Sequence, residues 1–289
     1  MRTELQKVLR YFLQFGYRPT FQEIYTFFPT KISKNKLRDY VDRTQKYTVG
    51  EYGNKFSRHA VGFRDSEEPG KVRSSQFQDS LTKISKAQSY IDFISLFPQL
   101  RLIGLSGSVA MLSASQSDDL DLFIVSAQNR LWTARFISNT AAWFFGLKRS
   151  RDKKQAKDKV CLNLFFSESH LTIAKDRRTE YMAHEVLQMM PILDVNHTYR
   201  TFLTKNDWIH DFFPNVRLDR YLPNKLSHVR GRKKNSVRAS GGAIGNLVEN
   251  LCRRFQLIYM SKPKGEERIE VGQLWFHPRD YSRMVKSKV

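Results

Sequence analysis

The chain has 289 residues, 40% of them hydrophobic and 27% charged, which excludes a disordered chain and is enough for a full core in one large or two smaller domains. Lys and Arg number 49 against 28 Asp and Glu, a formal charge of +21 that favours a polyanion such as RNA or DNA as partner, although a proteome basic throughout would give the same balance. Cys161 and Cys252 are far apart, which excludes a disulfide framework and a CxxC zinc site and fits a reducing compartment.

Residues 1–15 alternate charged and apolar positions and do not read as a signal peptide. The most apolar run, 131–147, is too short for a membrane span and contains Arg135, so it reads as a buried helix. A cytoplasmic chain with no membrane partner is expected.

In chain order, Leu5, Val8, Leu9, Phe12 and Leu13 fall on one helical face that stops at Gly16. Thr20 and Glu23 form a capping box for a second helix carrying Phe21, Ile24, Tyr25 and Phe28, which Pro29 ends. Ser33 caps a third, with Leu37, Tyr40 and Val41 inward and Lys34, Lys36, Arg38 and Arg43 outward. Two alternating runs around Gly53-Asn54 read as a hairpin with a tight turn.

Three helices followed by a hairpin resemble a winged helix-turn-helix over about 3–64, on pattern rather than a diagnostic motif. The resemblance implies that Lys34, Lys36 and Arg38 lie on a recognition helix and that Lys55 and Arg58 reach phosphate from the wing. Packing against its neighbours is the other role open to such a module.

The boundaries expected are a module over 1–64, a polar linker over 65–75 marked by Pro69-Gly70, a core over 76–175 and a helical region over 176–289. The core opens with a helix running to Phe97 before Pro98. It then alternates: strand 100–106, helix from 108, strand 119–125, helix 130–146 and strand 160–166. The fold class is α/β or α+β. Helical patterns follow at about 176–190, 197–212 and 243–261, interrupted by a basic loop at about 215–242, and the aromatic tail from Gly272 is expected to dock onto the body.

The stretch LIGLSGSVAMLSASQSDDLDLFIV, 102–125, carries the chemistry. Period two sends Asp119, Asp121, Phe123 and Val125 to one strand face and Leu120, Leu122 and Ile124 to the other. Adjacent carboxylates repel unless a divalent cation neutralises them, and hard oxygen donors suit Mg2+ or Mn2+. Gly107-Ser108, between strand and helix, offers close backbone approach, N–H groups and a hydroxyl to phosphate. Asp118 points the other way and reads as a loop cap.

A hydrophobic strand, Gly-Ser, ten intervening residues and Asp-Leu-Asp-Leu resemble the signature of nucleotidyltransferases related to DNA polymerase β. The resemblance covers about 100–166. It implies that Gly107 and Ser108 hold a nucleoside triphosphate and that Asp119 and Asp121 hold Mg2+ or Mn2+. It also implies that a nucleoside monophosphate passes to an acceptor hydroxyl of RNA, DNA or a protein, with release of pyrophosphate.

That family carries a third acid on a neighbouring strand. Here the corresponding position reads Asn163, which offers an oxygen but accepts no proton. Glu168 and Asp158 have the wrong parity. The departure leaves open a catalytically silent relative that binds nucleic acid or regulates. The loop 148–159, with seven Lys or Arg and two Asp, either covers a triphosphate or is simply solvated. His184 lacks the second histidine of a zinc helix, His277 has no ligand spacing, and no P-loop is present.

Overall fold

The structure is a computed structural model that describes residues 1–44, 47–52, 58–63, 69–149, 157–218, 242–260 and 268–276, with the backbone alone at 47–52, 58–63 and 69–73. The chain opens with α1 (Arg2–Leu13), α2 (Phe21–Thr26) and α3 (Lys34–Arg43), followed by an antiparallel pair, β1 (Tyr47–Tyr52) and β2 (Arg58–Phe63). The capping box forms as read: the Thr20 hydroxyl accepts from the Glu23 N–H, and the Glu23 carboxylate accepts from the Thr20 N–H. Ser33 caps α3 through the Lys36 N–H. Pairing of β1 with β2 ends at Tyr52 and Arg58, and the expected Gly53-Asn54 turn lies outside the described residues.

Next come α4 (Pro69–Ile94), β3 (Leu100–Ser106), α5 (Gly107–Ala110), β4 (Leu120–Ser126), α6 (Leu131–Phe144) and β5 (Val160–Ser167). Helix α4 begins at Pro69, so residues 69–75, expected to be linker, are helical instead. Proline fits the first helical position, where its missing N–H goes unused. The remaining elements are α7 (Glu180–Gln188), β6 (Met190–Asp194), α8 (Thr198–Thr204), α9 (Ala243–Tyr259), β7 (Arg268–Glu270) and β8 (Gln273–Trp275).

Six strands form one mixed sheet in the order β6-β3-β4-β5-β8-β7. The β4–β5 pair is parallel, joined across α6, and the other pairs are antiparallel. The class is therefore mixed α and β. One sheet face, with Leu102, Phe123, Val125, Leu164 and Phe166, shares a core with α1, α2, α3, α7 and α8. The opposite face, with Ile103, Leu105, Leu122, Ile124 and Phe165, packs on α4 and α6.

Three expectations change. The run read as helical to 190 ends at Gln188, and Met190–Asp194 becomes an edge strand on β3, a place that tolerates Pro191. The helix expected over 197–212 stops after Thr204, because buried Asn206 turns its side chain back on the chain. Its carbonyl accepts from the Ile173 N–H and the Trp208 indole, and its amide donates to the Leu171 and Phe202 carbonyls. Strict alternation over 160–166 fails at a bulge, where Leu122 pairs with Leu162 and Phe123 with Leu164. Leu164 and Phe166 therefore face the core opposite to that of Val160.

The tail docks as expected through β8, where Leu274 and Trp275 are buried. His277 and the basic stretch 219–241 lie outside the described residues. His184 is fully enclosed, stacked on Tyr11 at 3.7 Å and on Phe27 at 4.2 Å between ring centroids, and so belongs to the core. No helix among the described residues is long and apolar enough to cross a membrane.

Candidate metal and phosphate site

The site forms where β3 ends beside β4. Ser106 pairs with Asp121, which sets the next residue, Gly107, against the Asp121 side chain. Gly107 has φ +63°, and a Cβ there would lie 2.8 Å from Asp121 Oδ2. The positive φ favours glycine here, and a Cβ would also press on the tip of the Asp121 side chain.

Ser108 follows on α5, a helix of only four residues, so its N-terminus offers N–H groups but little of the macrodipole expected from a longer helix. The Ser108 hydroxyl donates to Asp118 Oδ2 at 2.7 Å. Asp118 also accepts from the Ser115 N–H and hydroxyl, the loop-capping role read from its parity.

Asp119 stands just ahead of β4 and Asp121 within it, and oxygens of the two lie within 4.8 Å of each other and of Cys161 Sγ. Asn163, held in the bulge of β5, donates from Nδ2 to Asp121 Oδ1 at 2.5 Å. Its own carbonyl accepts from the Cys161 thiol at 2.7 Å. The position expected to face the acid pair therefore does so, with an amide in place of a carboxylate.

Burial pushes the Asp121 carboxyl up to about 8, helped by the charges of Asp119 and Glu185 and opposed by hydrogen bonds from Cys161 and Asn163. Cys161 is also pushed up, by burial and then by the charges of Asp121 and Asp119, so it stays a thiol rather than a thiolate ligand. The donors that remain are the two carboxylates, oxygen ligands that fit Mg2+ or Mn2+ and disfavour a soft metal, while Asn163 turns its NH2 to Asp121 and its oxygen to Cys161.

Three participants were not picked out from the sequence. Arg149 donates to Asp119 Oδ2 at 2.8 Å and to Cys161 Sγ at 3.3 Å, placing a guanidinium where positive charge is needed. Cys161 lacked a ligand spacing. Glu185 on α7 is held by the Tyr181 hydroxyl, and burial raises it to about 7. The loop containing Arg149 was legible only as basic, and residues 150–156 of it lie outside the described residues.

The excluded acids are occupied elsewhere: Glu168 with Arg101 and the Gln128 N–H, Asp158 with Lys83 and Lys86. On α3, Lys34 and Lys36 are exposed, and Arg38 lies over the Phe21 ring at 4.4 Å. Lys55 lies outside the described residues, and Arg58 is described by its backbone alone, in β2.

No protein-family model, curated protein or solved structure matches the chain. A functional reading therefore rests on the residues themselves.

Proposed function

We propose that the chain is a metal-dependent nucleotidyltransferase with a polymerase-β-like core and a winged-helix-like N-terminal module. It would move a nucleoside monophosphate from an NTP to an acceptor hydroxyl of a nucleic acid or a protein. The observation that supports this most is the fit of Gly107 against Asp121 beside Asp119, because the glycine keeps backbone and space open next to an acid pair whose only ion-pair partner among the described residues is Arg149.

Asp119 and Asp121 would hold Mg2+ or Mn2+, which when bound supplies neutralisation of phosphate charge and orients the reacting oxygens. Gly107 leaves the backbone accessible to a phosphate and Ser108 adds an N–H, while the Ser108 hydroxyl would have to leave Asp118 Oδ2 to join it. Asn163 ties Asp121 Oδ1 and leaves Oδ2 turned toward Gly107. Arg149, paired with Asp119 at 2.8 Å, would supply positive charge to a phosphate held at this site. Asn163 itself accepts no proton from the acceptor hydroxyl.

A silent nucleotidyltransferase fold that binds nucleic acid is the second reading, favoured by Asn163 at the third-acid position and by the charge of +21. The test is incubation with each labelled NTP, Mg2+ or Mn2+ and an RNA and protein extract, beside Asp119→Ala/Asp121→Ala. Transfer absent from the double variant supports the enzyme and identifies its acceptor class. No transfer, with salt-sensitive nucleic-acid binding that the variant retains, supports the silent reading.

A further inference from the structure

Helix α9 packs on α6 and leaves a long apolar stripe exposed. Inward, beside the apolar Cys252, Leu257 and Met260, the Glu249 carboxylate accepts from the Trp132 and Thr133 N–H groups at 2.8 and 2.9 Å, capping α6. Gln256 binds the Trp132 carbonyl and the Arg135 guanidinium, and Asn246 binds Arg130. An apolar stripe faces outward, with Ile244, Leu247, Leu251, Phe255 and Ile258 at helical spacing and between 56% and 80% exposed.

The apolar surface continues onto α6, where the Phe136 ring lies 6.3 Å from that of Phe255, and Trp143 and Phe144 are 69% and 77% exposed. Among the described residues nothing covers this face. An apolar patch of this extent marks an interaction site.

Charge selects the occupant. Helix α6 contains no acidic residue, and the one acid of α9, Glu249, is turned inward. The exposed bases beside the stripe are Arg254 on α9 and Lys148, whose ammonium lies 5.9 Å from the Tyr259 ring centroid, whereas Arg253 lies on the other side of the helix from Leu251 and Phe255. In sequence, residues 220–238, just ahead of α9, hold seven Lys or Arg and no acid. A second copy of a +21 chain would oppose cation to cation, and nucleic acid would leave the apolar stripe unsatisfied. A membrane surface bearing anionic lipid matches both features, since apolar side chains enter the acyl boundary while bases meet the headgroups.

We infer that the α6–α9 face is a peripheral docking surface for anionic lipid, with α9 lying in the plane of the membrane and not crossing it. This departs from the expectation of no membrane partner and does not depend on the nucleotidyltransferase reading.

The test is flotation of the full chain with vesicles of equal parts phosphatidylcholine and phosphatidylserine, and with phosphatidylcholine alone. The expected result is salt-sensitive flotation with the anionic vesicles only. Leu251→Glu/Phe255→Glu should abolish it, and Lys148→Glu/Arg254→Glu should weaken it by about tenfold. All four side chains are exposed, so thermal unfolding of the variants should match the parent. No flotation, or flotation that survives Leu251→Glu/Phe255→Glu, overturns the inference. So does a dimer in sedimentation velocity that this pair of substitutions dissociates, which would assign the face to a second copy.

Discussion

Asp121→Asn isolates the electrostatic strain of the site. The substitution keeps the side-chain volume and an oxygen that can still accept from Asn163 Nδ2, but removes the charge. The folded carboxyl titrates near 8 instead of the ordinary 3.8, chiefly through burial and then through Asp119 and Glu185. Between these values the unfolded chain is ionised while the folded chain keeps its proton, so the wild type loses stability as pH rises from about 4 to about 8 and then levels. A shift of that size sets a ceiling of roughly 6 kcal/mol. Asp121 keeps a partial opening to solvent, which relieves much of the strain, and about 2 kcal/mol is expected.

Thermal unfolding of metal-free protein across pH measures this directly. Asp121→Asn should match the wild type near pH 4 and exceed it by several degrees at pH 8.5. Added Mg2+ should close that gap by stabilising the wild type alone. A variant less stable at every pH, or a difference that does not vary with pH, would refute the strained-carboxylate account.

Three further perturbations read neighbouring groups. Gly107→Ala brings a Cβ to 2.8 Å from Asp121 Oδ2 at φ +63° and should cost about 1–3 kcal/mol of stability by denaturant titration, with transfer activity lost. Arg149→Gln removes the cation that competes for Asp119, so Mn2+ affinity measured by paramagnetic resonance should rise by about three- to tenfold, and an unchanged affinity would sink the competition argument. His184 is held neutral by burial and then by the charge of Lys7, which depresses its pKa well below the usual range. The unfolded histidine therefore takes a proton that the folded one refuses, and stability should fall as pH drops below about 6.5. His184→Phe should flatten that limb in melting scans.

What was legible in the sequence was whatever local spacing controls. The period-two parity of β4 puts Asp121 with Phe123 and Val125, and the structure keeps them on one face. Gly107 was legible because a strand-to-helix turn beside an acid pair tolerates little else. The β5 bulge was not, because Leu162 and Leu164 are both apolar and alternation gives no sign that Asn163 is the extra residue. Arg149 reaches Asp119 from 30 residues away, so only the sign of its loop could be read. Strands β6, β7 and β8 are three to five residues long and exist through pairing with distant strands, which no local pattern records. On α9 the helical pattern was legible, but not which side packs: the Glu249 cap of α6 and the inward Leu257 and Met260 leave the Leu251–Phe255 side exposed.

The raised carboxyl also links metal binding to protons. At pH 7 a group titrating near 8 is still mostly protonated, so a divalent cation that takes Asp121 as a ligand must expel that proton. Titration calorimetry of Mn2+ in buffers of different ionisation enthalpy should then show observed heats that vary with the buffer at pH 7, with a slope that reports proton release. The slope should fall toward zero by pH 9, where Asp121 has already ionised, and apparent affinity should climb over the same range. Glu185, raised to about 7, offers a second proton only if it too joins the cation, so a slope above one at pH 6 would bring α7 into the ligand set. Heats independent of the buffer at pH 7 would mean that the cation binds without Asp121, and the metal assignment built on Asp119 and Asp121 would fall.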